Sequence, residues 1–256
     1  MDRRTDEGTR VRLCVQGYLA RTKQSDARVV PLTGDASDRH YFRVVPKAGA
    51  PFVLAVHGEP FDMKALPFVN VAGLFTQIGV PVPQVLGDAS DLGVLALEDL
   101  GDVTLQANLG TKTGEQHDDQ YREAMRFIDL LQRRGAEFRS INYLPYQIGF
   151  DSPRLMWELE FFFRHFLEGY RGATVSQAEH EALTAEFTIL ADELSSEPRV
   201  LCHRDYHSRN LMVHDDRLYV IDFQDARLGP DTYDLASLLR DSYVDLPEET
   251  VSAFVA

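Results

Sequence analysis

The stretch that decides the fold is LCHRDYHSRNLMV, residues 201–213, in which two apolar ends enclose a dense polar cluster. It is followed by RLYVIDFQDA, residues 217–226, where an apolar run ends in Asp222. An acidic side chain at the end of a buried strand is costly to desolvate unless a cation or hydrogen-bond donors meet it there. The two stretches therefore predict a polar site carried on buried strands.

The segments NLMV and LYVID, joined by a turn at Asp215 and Asp216, are expected to form a hairpin. This hairpin would bring Asp205, Asn210 and Asp222 together. One carboxylate would then face a hydroxyl, while the asparagine and the other aspartate hold Mg²⁺, a hard ion that prefers oxygen ligands. That arrangement is the phosphotransfer machinery of protein kinases, with a catalytic-loop base and two metal ligands.

The rest of the chain has strand patterns first and helix patterns later. Residues 11–19 and 68–78 have apolar residues at helical spacing, and the second of these helices is expected to end at Gly79. Five short segments rich in β-branched and aromatic residues read as antiparallel strands: RVVPLTG, HYFRVVP, PFVLAVH, PQVLGD and LGVLALEDLG.

From Asp118 onward the patterns are mostly helical. One apolar stripe ends at Gly135, a second helix is expected to start at Ser152 with Pro153 in its first turn, and a third at a capping box of Ser176 and Glu179. We therefore predict an α+β, protein-kinase-like fold of two lobes. The small antiparallel-sheet lobe would span residues 1–98 and the helical lobe residues 99–256.

Composition limits the partners and the compartment. Forty acidic against 26 basic residues give a formal charge of −14, which disfavours nucleic acid as a partner. The segment MDRRTDEGTRVR lacks the apolar core of a signal peptide, and no apolar run reaches membrane-spanning length. Cys14 and Cys202 are too few and too distant for a disulfide framework. We expect a cytoplasmic monomer that acts on a small molecule and does not contact membranes.

The motifs HRDYHSRN and VIDFQDA resemble the protein-kinase-like phosphotransferases of small molecules, the aminoglycoside and choline kinase group. Within that group, LTGDASDRHYFRV, LALEDLG and GPDTYDLASLLRD are most similar to the bacterial kinases that phosphorylate the anomeric hydroxyl of N-acetylmuramate and N-acetylglucosamine in cell-wall recycling. The motifs lie in order across residues 32–241, so the resemblance covers most of the chain.

The resemblance implies ATP and Mg²⁺ as cofactors and gives each motif a role. Asp205 would be the catalytic base, Asn210 and Asp222 the metal ligands, and His203 and Asp234 the supports of the catalytic loop. A phosphate-covering turn and the backbone of the hinge would bind the nucleotide, through Gly34, Asp35, Ala36, Ser37, Arg39, Glu98 and Leu100. The expected substrate contacts are His207, Arg209, Gln224, Asp225, Glu158 and Glu160.

Several motifs have a simpler interpretation. The stretch GDASDR is also compatible with an ordinary hairpin turn, and Asp234 with a first-turn acid that the helix dipole favours. His203, Asp205 and His207 would suit a metallohydrolase, but no further ligand motif completes such a site. Asp205 and Asn210 would also suit a structural loop whose polar groups cap each other.

Two features depart from the kinase pattern. His57 stands about where many kinases carry the lysine that grips the α- and β-phosphates, and Arg39, Arg43 or Lys64 would have to supply that charge. The final stretch LPEETVSAFVA stops in a helix just begun, whereas relatives continue with further helices, so we expect a shortened helical lobe. A nucleotide-binding pseudokinase therefore stays open, as does an aminoglycoside phosphotransferase, whose cationic substrates an acidic surface favours.

The helix expected over residues 154–172 bears on the substrate. A core stripe of Leu155, Leu159, Phe162, Phe163 and Phe166 is expected. Glu158 and Glu160 are about 200° apart at ~100° per residue, so at most one is expected to contact a sugar unless the helix bends. The carboxylate of a muramate would need a basic contact, for which Arg209, Arg164 or Arg171 are candidates.

Overall fold

The computed structural model describes residues 3–32, 39–109 and 114–255. Up to residue 109 the elements are α1 (Arg3–Arg21), β1 (Arg28–Leu32), β2 (His40–Val45), β3 (Phe52–Val56), α2 (Pro67–Ile78), β4 (Val85–Ala89), β5 (Val94–Glu98) and α3 (Leu105–Leu109). Those that follow are α4 (Gly114–Glu137), α5 (Ser152–Phe162), a π-helical segment (Phe163–Tyr170), α6 (Gln177–Ser196), β6 (Val200–Cys202), β7 (Leu211–His214), β8 (Arg217–Val220), β9 (Arg227–Gly229), α7 (Tyr233–Leu239) and α8 (Glu248–Val255). The chain is thus of the α+β class.

The chain divides into two compact units. The first consists of residues 1–113 together with 209–224, and the second of residues 114–208 together with 225 onward. The β7–β8 hairpin therefore belongs to the unit that contains the sheet, although it follows the HRDYHSRN motif in sequence. The functional boundary expected at residue 98 stays a prediction, because compactness alone does not identify the residues that bind a nucleotide.

A five-stranded antiparallel sheet with the strand order β1-β2-β3-β5-β4 is the framework of the first unit. In the β2–β3 pair His40 lies opposite Val56, and the β4–β5 pair has an irregularity between Val85 and Gly87. All five strand patterns of the sequence form this sheet, as predicted.

Helix α1 covers one face of the sheet. Its helically spaced apolar residues are all buried, namely Val11, Cys14, Val15, Tyr18 and Leu19. They form one cluster with strand residues that include Val44, Leu54 and Val56. Each fully buried aliphatic side chain of this kind contributes about 1.5–3 kcal/mol relative to an exposed one. Because side chains alternate along a strand, Tyr41, Arg43 and Ala55 lie on the opposite face.

Helix α2 begins with Pro67 in its first turn and ends as predicted at Gly79. Gly79 has φ 96°, and its N–H donates to the carbonyl oxygens of Phe75 and Thr76. This left-handed conformation favours glycine, because a side chain there would strain the backbone.

In the second unit α4 packs against β6, and the helix does not end at Gly135 as predicted but continues to Glu137. A Cβ on Gly135 would lie 3.1 Å from the side chain of Leu201, so the glycine permits close packing and does not terminate the helix. Helix α8 contacts α4 through Phe254, whose ring stacks on Tyr121 with centroids 5.7 Å apart.

Two helix starts in this unit follow standard capping chemistry. The cap of α5 is Asp151, whose carboxylate accepts from the Arg154 N–H at 2.9 Å, and not Ser152 as expected. Helix α6 has the predicted capping box, in which Ser176 and Glu179 satisfy each other's backbone N–H groups.

The helix expected over residues 154–172 is divided at Phe163, where α-helix changes to π-helix. The predicted core stripe is wrong at Phe162, the last residue of α5, and at Phe166, whose direction the preceding π-helical turn shifts. Leu155 and Phe163 are buried, but Phe162 and Phe166 are 46% and 42% exposed. Within the described parts of the chain, no helix is both long and apolar enough to cross a bilayer.

Candidate active site

The first unit places Asn210 and Asp222 at the open end of the β7–β8 hairpin. The turn at the closed end has Asp215 and Asp216 at φ 48° and 57°, the left-handed pair typical of a type I′ hairpin turn. At the open end the carbonyl oxygen of Asn210 accepts from the Ile221 N–H at 3.0 Å. The predicted turn and hairpin are therefore present, and they set Asn210 next to the strand end that carries Asp222.

The backbone and side chain of Asp222 are held by its neighbours. Asp222 has φ 61°, an uncommon conformation for a residue other than glycine. The next residue, Phe223, is fully buried, with its ring 4.8 Å from that of Phe68 and 5.5 Å from that of Phe75. The Gln224 side-chain amide donates to the Asp222 carboxylate at 2.7 Å. Phe223 therefore anchors the strand end and leaves the carboxylate as its polar terminus.

The chemistry of Asn210 and Asp222 fits a hard divalent cation. One amide oxygen and one carboxylate are the donors that Mg²⁺ takes from proteins that also present it with phosphate oxygens. Among residues 3–32, 39–109 and 114–255, no group of three or more His, Cys, Asp or Glu side chains has a metal-binding arrangement. The pair thus suits a shared metal better than one held by protein ligands alone.

The second unit carries the loop of Asp205. The Asp205 side chain is 43% exposed, so a substrate hydroxyl has access to it. Its neighbour Arg204 has φ 89°, and the Arg204 guanidinium lies 3.5 Å from the Asp205 carboxylate and 3.7 Å from that of Asp225. Asp225, expected to contact substrate, also lies 3.7 Å from the Arg227 guanidinium. Arg204 thereby positions Asp205 and offsets its charge.

Asp234 binds the backbone of this loop through hydrogen bonds. Its carboxylate is 1% exposed and accepts from the backbone N–H of His203 at 2.6 Å and from that of Arg204 at 3.0 Å. Burial raises the pKa of Asp234 to about 7, although the two N–H donors oppose that rise. The side chain of His203 is fully buried, with its ring 5.4 Å from that of Tyr206.

Two further contacts fix the loop. The buried Tyr206 hydroxyl donates to the Ala124 carbonyl oxygen at 2.9 Å, which ties the loop to α4. The Ser208 N–H donates to the Asp241 carboxylate at 2.8 Å. The sequence motifs give Asp241 no role, and it lies two residues beyond the end of α7.

A cavity of about 270 Å³ opens beside Asp205. Its lining is mostly polar and consists of Arg204, Asp205, His207, Tyr233, Ser237, Arg240, Asp241, Ser242 and Tyr243. His207, an expected substrate contact, lines this cavity with its ring 5.2 Å from that of Tyr243. The sequence alone did not indicate a role for Arg240, which lies within GPDTYDLASLLRD, or for Tyr243, which follows that motif.

The two glutamates of α5 lie in different places. The Tyr233 hydroxyl, which lines the cavity beside Asp205, donates to the Glu158 carboxylate at 3.1 Å. Glu160 instead lines a cavity of about 100 Å³ with Trp157, Phe161, Arg164 and His165. Glu158 is therefore adjacent to the Asp205 cavity, whereas Glu160 and Arg164 line another.

The remaining expected nucleotide contacts lie in the first unit. The Glu98 N–H donates to the Gln84 carbonyl oxygen at 2.9 Å at the end of β5, and Leu100 is buried two residues later. Arg39 directly precedes β2, and the exposed Arg209 directly precedes Asn210. The expected phosphate-covering turn lies outside the described residues. It consists of Gly34, Asp35, Ala36 and Ser37.

A comparison with models of known protein families identifies the family of this chain. The model of the APH phosphotransferase enzyme family matches residues 28–256. The chain belongs to this family. Membership of the APH family agrees with the resemblance carried by HRDYHSRN and VIDFQDA.

Curated members with similar sequences are named N-acetylmuramate/N-acetylglucosamine kinase. The chain is 34% identical over 218 residues to the protein of Neisseria meningitidis, covering 85% of this chain and 62% of that protein. It is 32% identical over 227 residues to the protein of Pseudomonas aeruginosa, covering 89% of this chain and 64% of that protein. The chain thus spans slightly less than two thirds of the length of these relatives.

Solved structures show the same fold at low sequence identity. The ADP-bound aminoglycoside phosphotransferase APH(2'')-Ib gives a TM-score of 0.63 at 16% identity, over 94% of this chain and 80% of that one. The choline kinase LicA of Streptococcus pneumoniae gives 0.59 at 13% identity, over 94% of this chain and 77% of that one. The likeness confirms the protein-kinase-like fold expected for this member of the APH family.

Proposed function

We propose that this protein is an ATP- and Mg²⁺-dependent kinase that phosphorylates a hydroxyl of an amino sugar. The observation that carries the proposal is the β7–β8 hairpin, which sets Asn210 and Asp222 at its open end. Asn210 follows Asp205 by five residues in the chain. Membership of a phosphotransferase family and the names of the curated relatives support it.

In this mechanism the chain supplies positioning and charge. Asn210 and Asp222 would hold Mg²⁺, which would supply positive charge to the nucleotide phosphates. Asp205 orients the acceptor hydroxyl and accepts its proton, while Arg204 and Asp234 keep that carboxylate in place. Phosphoryl transfer needs little covalent help, so positioning and electrostatic stabilisation supply most of the rate acceleration.

The acceptor is the anomeric hydroxyl of N-acetylglucosamine or N-acetylmuramate. The polar lining of the cavity beside Asp205 suits a molecule rich in hydroxyl groups, and Glu158 supports it through Tyr233. The carboxylate of a muramate requires a cation. Arg240 lines the cavity and takes that role in place of Arg164, and Glu248, its exposed ion-pair partner, is displaced at little cost.

An aminoglycoside is the second candidate acceptor, since Asp205 and Asp241 place two carboxylates in the same cavity and would attract a cationic substrate. For either acceptor we place the monomeric enzyme in the cytoplasm. ATP is supplied there, and the buried thiols of Cys14 and Cys202 remain reduced.

Phosphate transfer from labelled ATP to a panel of N-acetyl amino sugars and aminoglycosides tests the proposal. We expect Mg²⁺-dependent labelling of N-acetylglucosamine or N-acetylmuramate, and none with the Asp205→Asn variant. If only aminoglycosides were labelled, the substrate would be an aminoglycoside and not an N-acetyl amino sugar. Tight Mg-ATP binding without transfer to any acceptor would indicate a pseudokinase and contradict the proposal.

A further inference from the structure

Strand β3 carries no lysine that could bind the α- and β-phosphates of a nucleotide. The residue about where many kinases have that lysine is His57, and its side chain is neutral. His57 directly follows β3. Burial, together with the positive charge of Arg39, lowers the pKa of His57 to about 4. His57 is therefore uncharged near pH 7, and its buried Nε2 has no hydrogen-bond partner among the described residues. The cation that a nucleotide requires must come from another residue.

The register of the sheet places Arg39 beside that position. His40 on β2 lies opposite Val56 on β3, so the next pair outward sets Arg39 opposite His57. The following pair in the other direction is Tyr41 with Ala55. Directly opposed residues and residues two apart share one face of a sheet. Arg39 and His57 therefore extend the face that carries Tyr41, which is the face opposite to α1.

The charges in the first unit connect this face to the proposed metal ligand. Burial raises the pKa of Tyr41, the Arg39 guanidinium opposes that rise, and the Asp222 carboxylate adds to it. The charges of Arg39 and of Asp222 therefore both act on the Tyr41 hydroxyl.

The other two basic residues considered for this role are placed differently. Arg43 shares the face of Tyr41, but its guanidinium donates to Asp99 at 2.6 and 2.9 Å and to Asp102 at 2.7 and 2.9 Å. Two carboxylates more than offset its charge and fix its direction. Lys64 lies in an exposed turn, where its N–H is bonded to the carboxylate of Asp62. Arg43 therefore presents no net positive charge to this face of the sheet.

We propose that Arg39, which directly precedes β2, binds the α- and β-phosphates of the nucleotide in place of the β3 lysine of other kinases. The inference rests on the proposed kinase function and assigns the cation of that same site. A guanidinium presents its donors in a planar fork that matches two phosphate oxygens, which makes arginine an effective substitute for lysine here.

Calorimetric titration of Arg39→Gln with Mg-ATP, Mg-ADP and adenosine tests the assignment without measuring turnover. Loss of a charged hydrogen bond is expected to weaken Mg-ATP and Mg-ADP binding about tenfold to a hundredfold and to leave adenosine binding unchanged. Arg39→Lys keeps the charge and should lie within a few-fold of the parent. Arg28→Gln, which removes an exposed arginine from β1 of the same sheet, is the matched control.

A rescue variant tests whether residues 39 and 57 lie opposite each other on β2 and β3. In the double variant Arg39→Gln/His57→Lys the positive charge moves across to the opposing strand, and we expect it to recover most of the lost Mg-ATP affinity. Unchanged Mg-ATP affinity in Arg39→Gln, or an equal loss for adenosine, would overturn the Arg39 assignment and leave the kinase proposal standing. A parent protein that binds adenosine but gains nothing from the phosphates would overturn both.

Discussion

Replacing Asp234 by asparagine tests how the loop of Asp205 is held in place. The buried carboxylate accepts the N–H groups of His203 and Arg204 at 2.6 and 3.0 Å. At mildly acid pH both oxygens of the protonated carboxyl can still accept from these N–H groups, whereas an amide has one acceptor oxygen and turns its NH₂ group toward the second donor, which leaves one buried N–H without a partner. That loss costs about 1–3 kcal/mol, so Asp234→Asn should be less stable by this amount at mildly acid pH.

The difference between parent and variant should depend on pH. Burial raises the pKa of Asp234 from the ordinary 3.8 to about 7, so the parent binds a proton more tightly when folded than when unfolded. A raised pKa gives stability that is present at low pH and is lost as the pH rises through the folded value. Between about pH 5.5 and pH 8.5 the advantage of the parent should shrink by roughly 2 kcal/mol.

Urea denaturation followed by circular dichroism at both pH values measures this difference. Asp231→Asn, which removes the same charge from an exposed residue three positions earlier, is the control and should show no such shrinkage. A parent-to-variant difference that stays constant or grows as the pH rises would show that Asp234 is ionised throughout. The reasoning from burial would then be wrong.

Four further substitutions probe the two units. Asp222→Asn should weaken Mg-ATP binding at least tenfold with little change in melting temperature, because a neutral amide replaces a charged metal ligand; unchanged calorimetric affinity would remove Asp222 from the site. Glu158→Ala should raise the KM for the sugar about tenfold and Glu160→Ala should not, and steady-state kinetics giving the reverse order would contradict the Tyr233 contact. Gly229→Ala should lower the free energy of unfolding by about 1–3 kcal/mol, since its Cβ would lie 2.8 Å from the Phe150 ring, and a neutral result in urea denaturation would show that the ring yields.

The sequence predicted those elements whose signals are local. The α1 stripe, the Gly79 cap and the Ser176 capping box each depend on residues within a few positions, and all three are present. The β7–β8 hairpin was predictable for the same reason, because the apolar segments are short and a two-residue turn joins them.

Features that depend on distant contacts or on small changes in helical pitch were not predictable. The three-residue strands β6 and β9 are too short for a pattern, and they pair across 24 intervening residues of chain, with Val200 opposite Gly229. Phe162 at the end of α5 and Phe166 in the π-helical segment are exposed, and a constant helical period does not anticipate the change of pitch between them. The packing role of Gly135 was not predictable either, because the Leu201 side chain beside it lies 66 positions away along the chain.

The candidate site shows the same limit. The motifs named Asp205, Asn210 and Asp222, but not the cavity residues Arg240 and Asp241, which reach the loop only through tertiary packing. A resemblance does not give a role to every residue within its motifs, and the cavity that these side chains line is formed only by the folded chain.

The central claim is that Asp205 acts on the acceptor hydroxyl, whereas Asn210 and Asp222 serve the nucleotide. The most direct test measures Asp205→Asn twice, by calorimetric titration with Mg-ATP and by phosphate transfer to the sugar. The amide keeps the size of the side chain but removes the charge that orients the hydroxyl and accepts its proton. We predict nearly unchanged Mg-ATP affinity and a transfer rate lower by about 10²–10⁴. Loss of Mg-ATP binding together with a lower melting temperature would make Asp205 a structural or metal-holding residue and contradict the proposed mechanism.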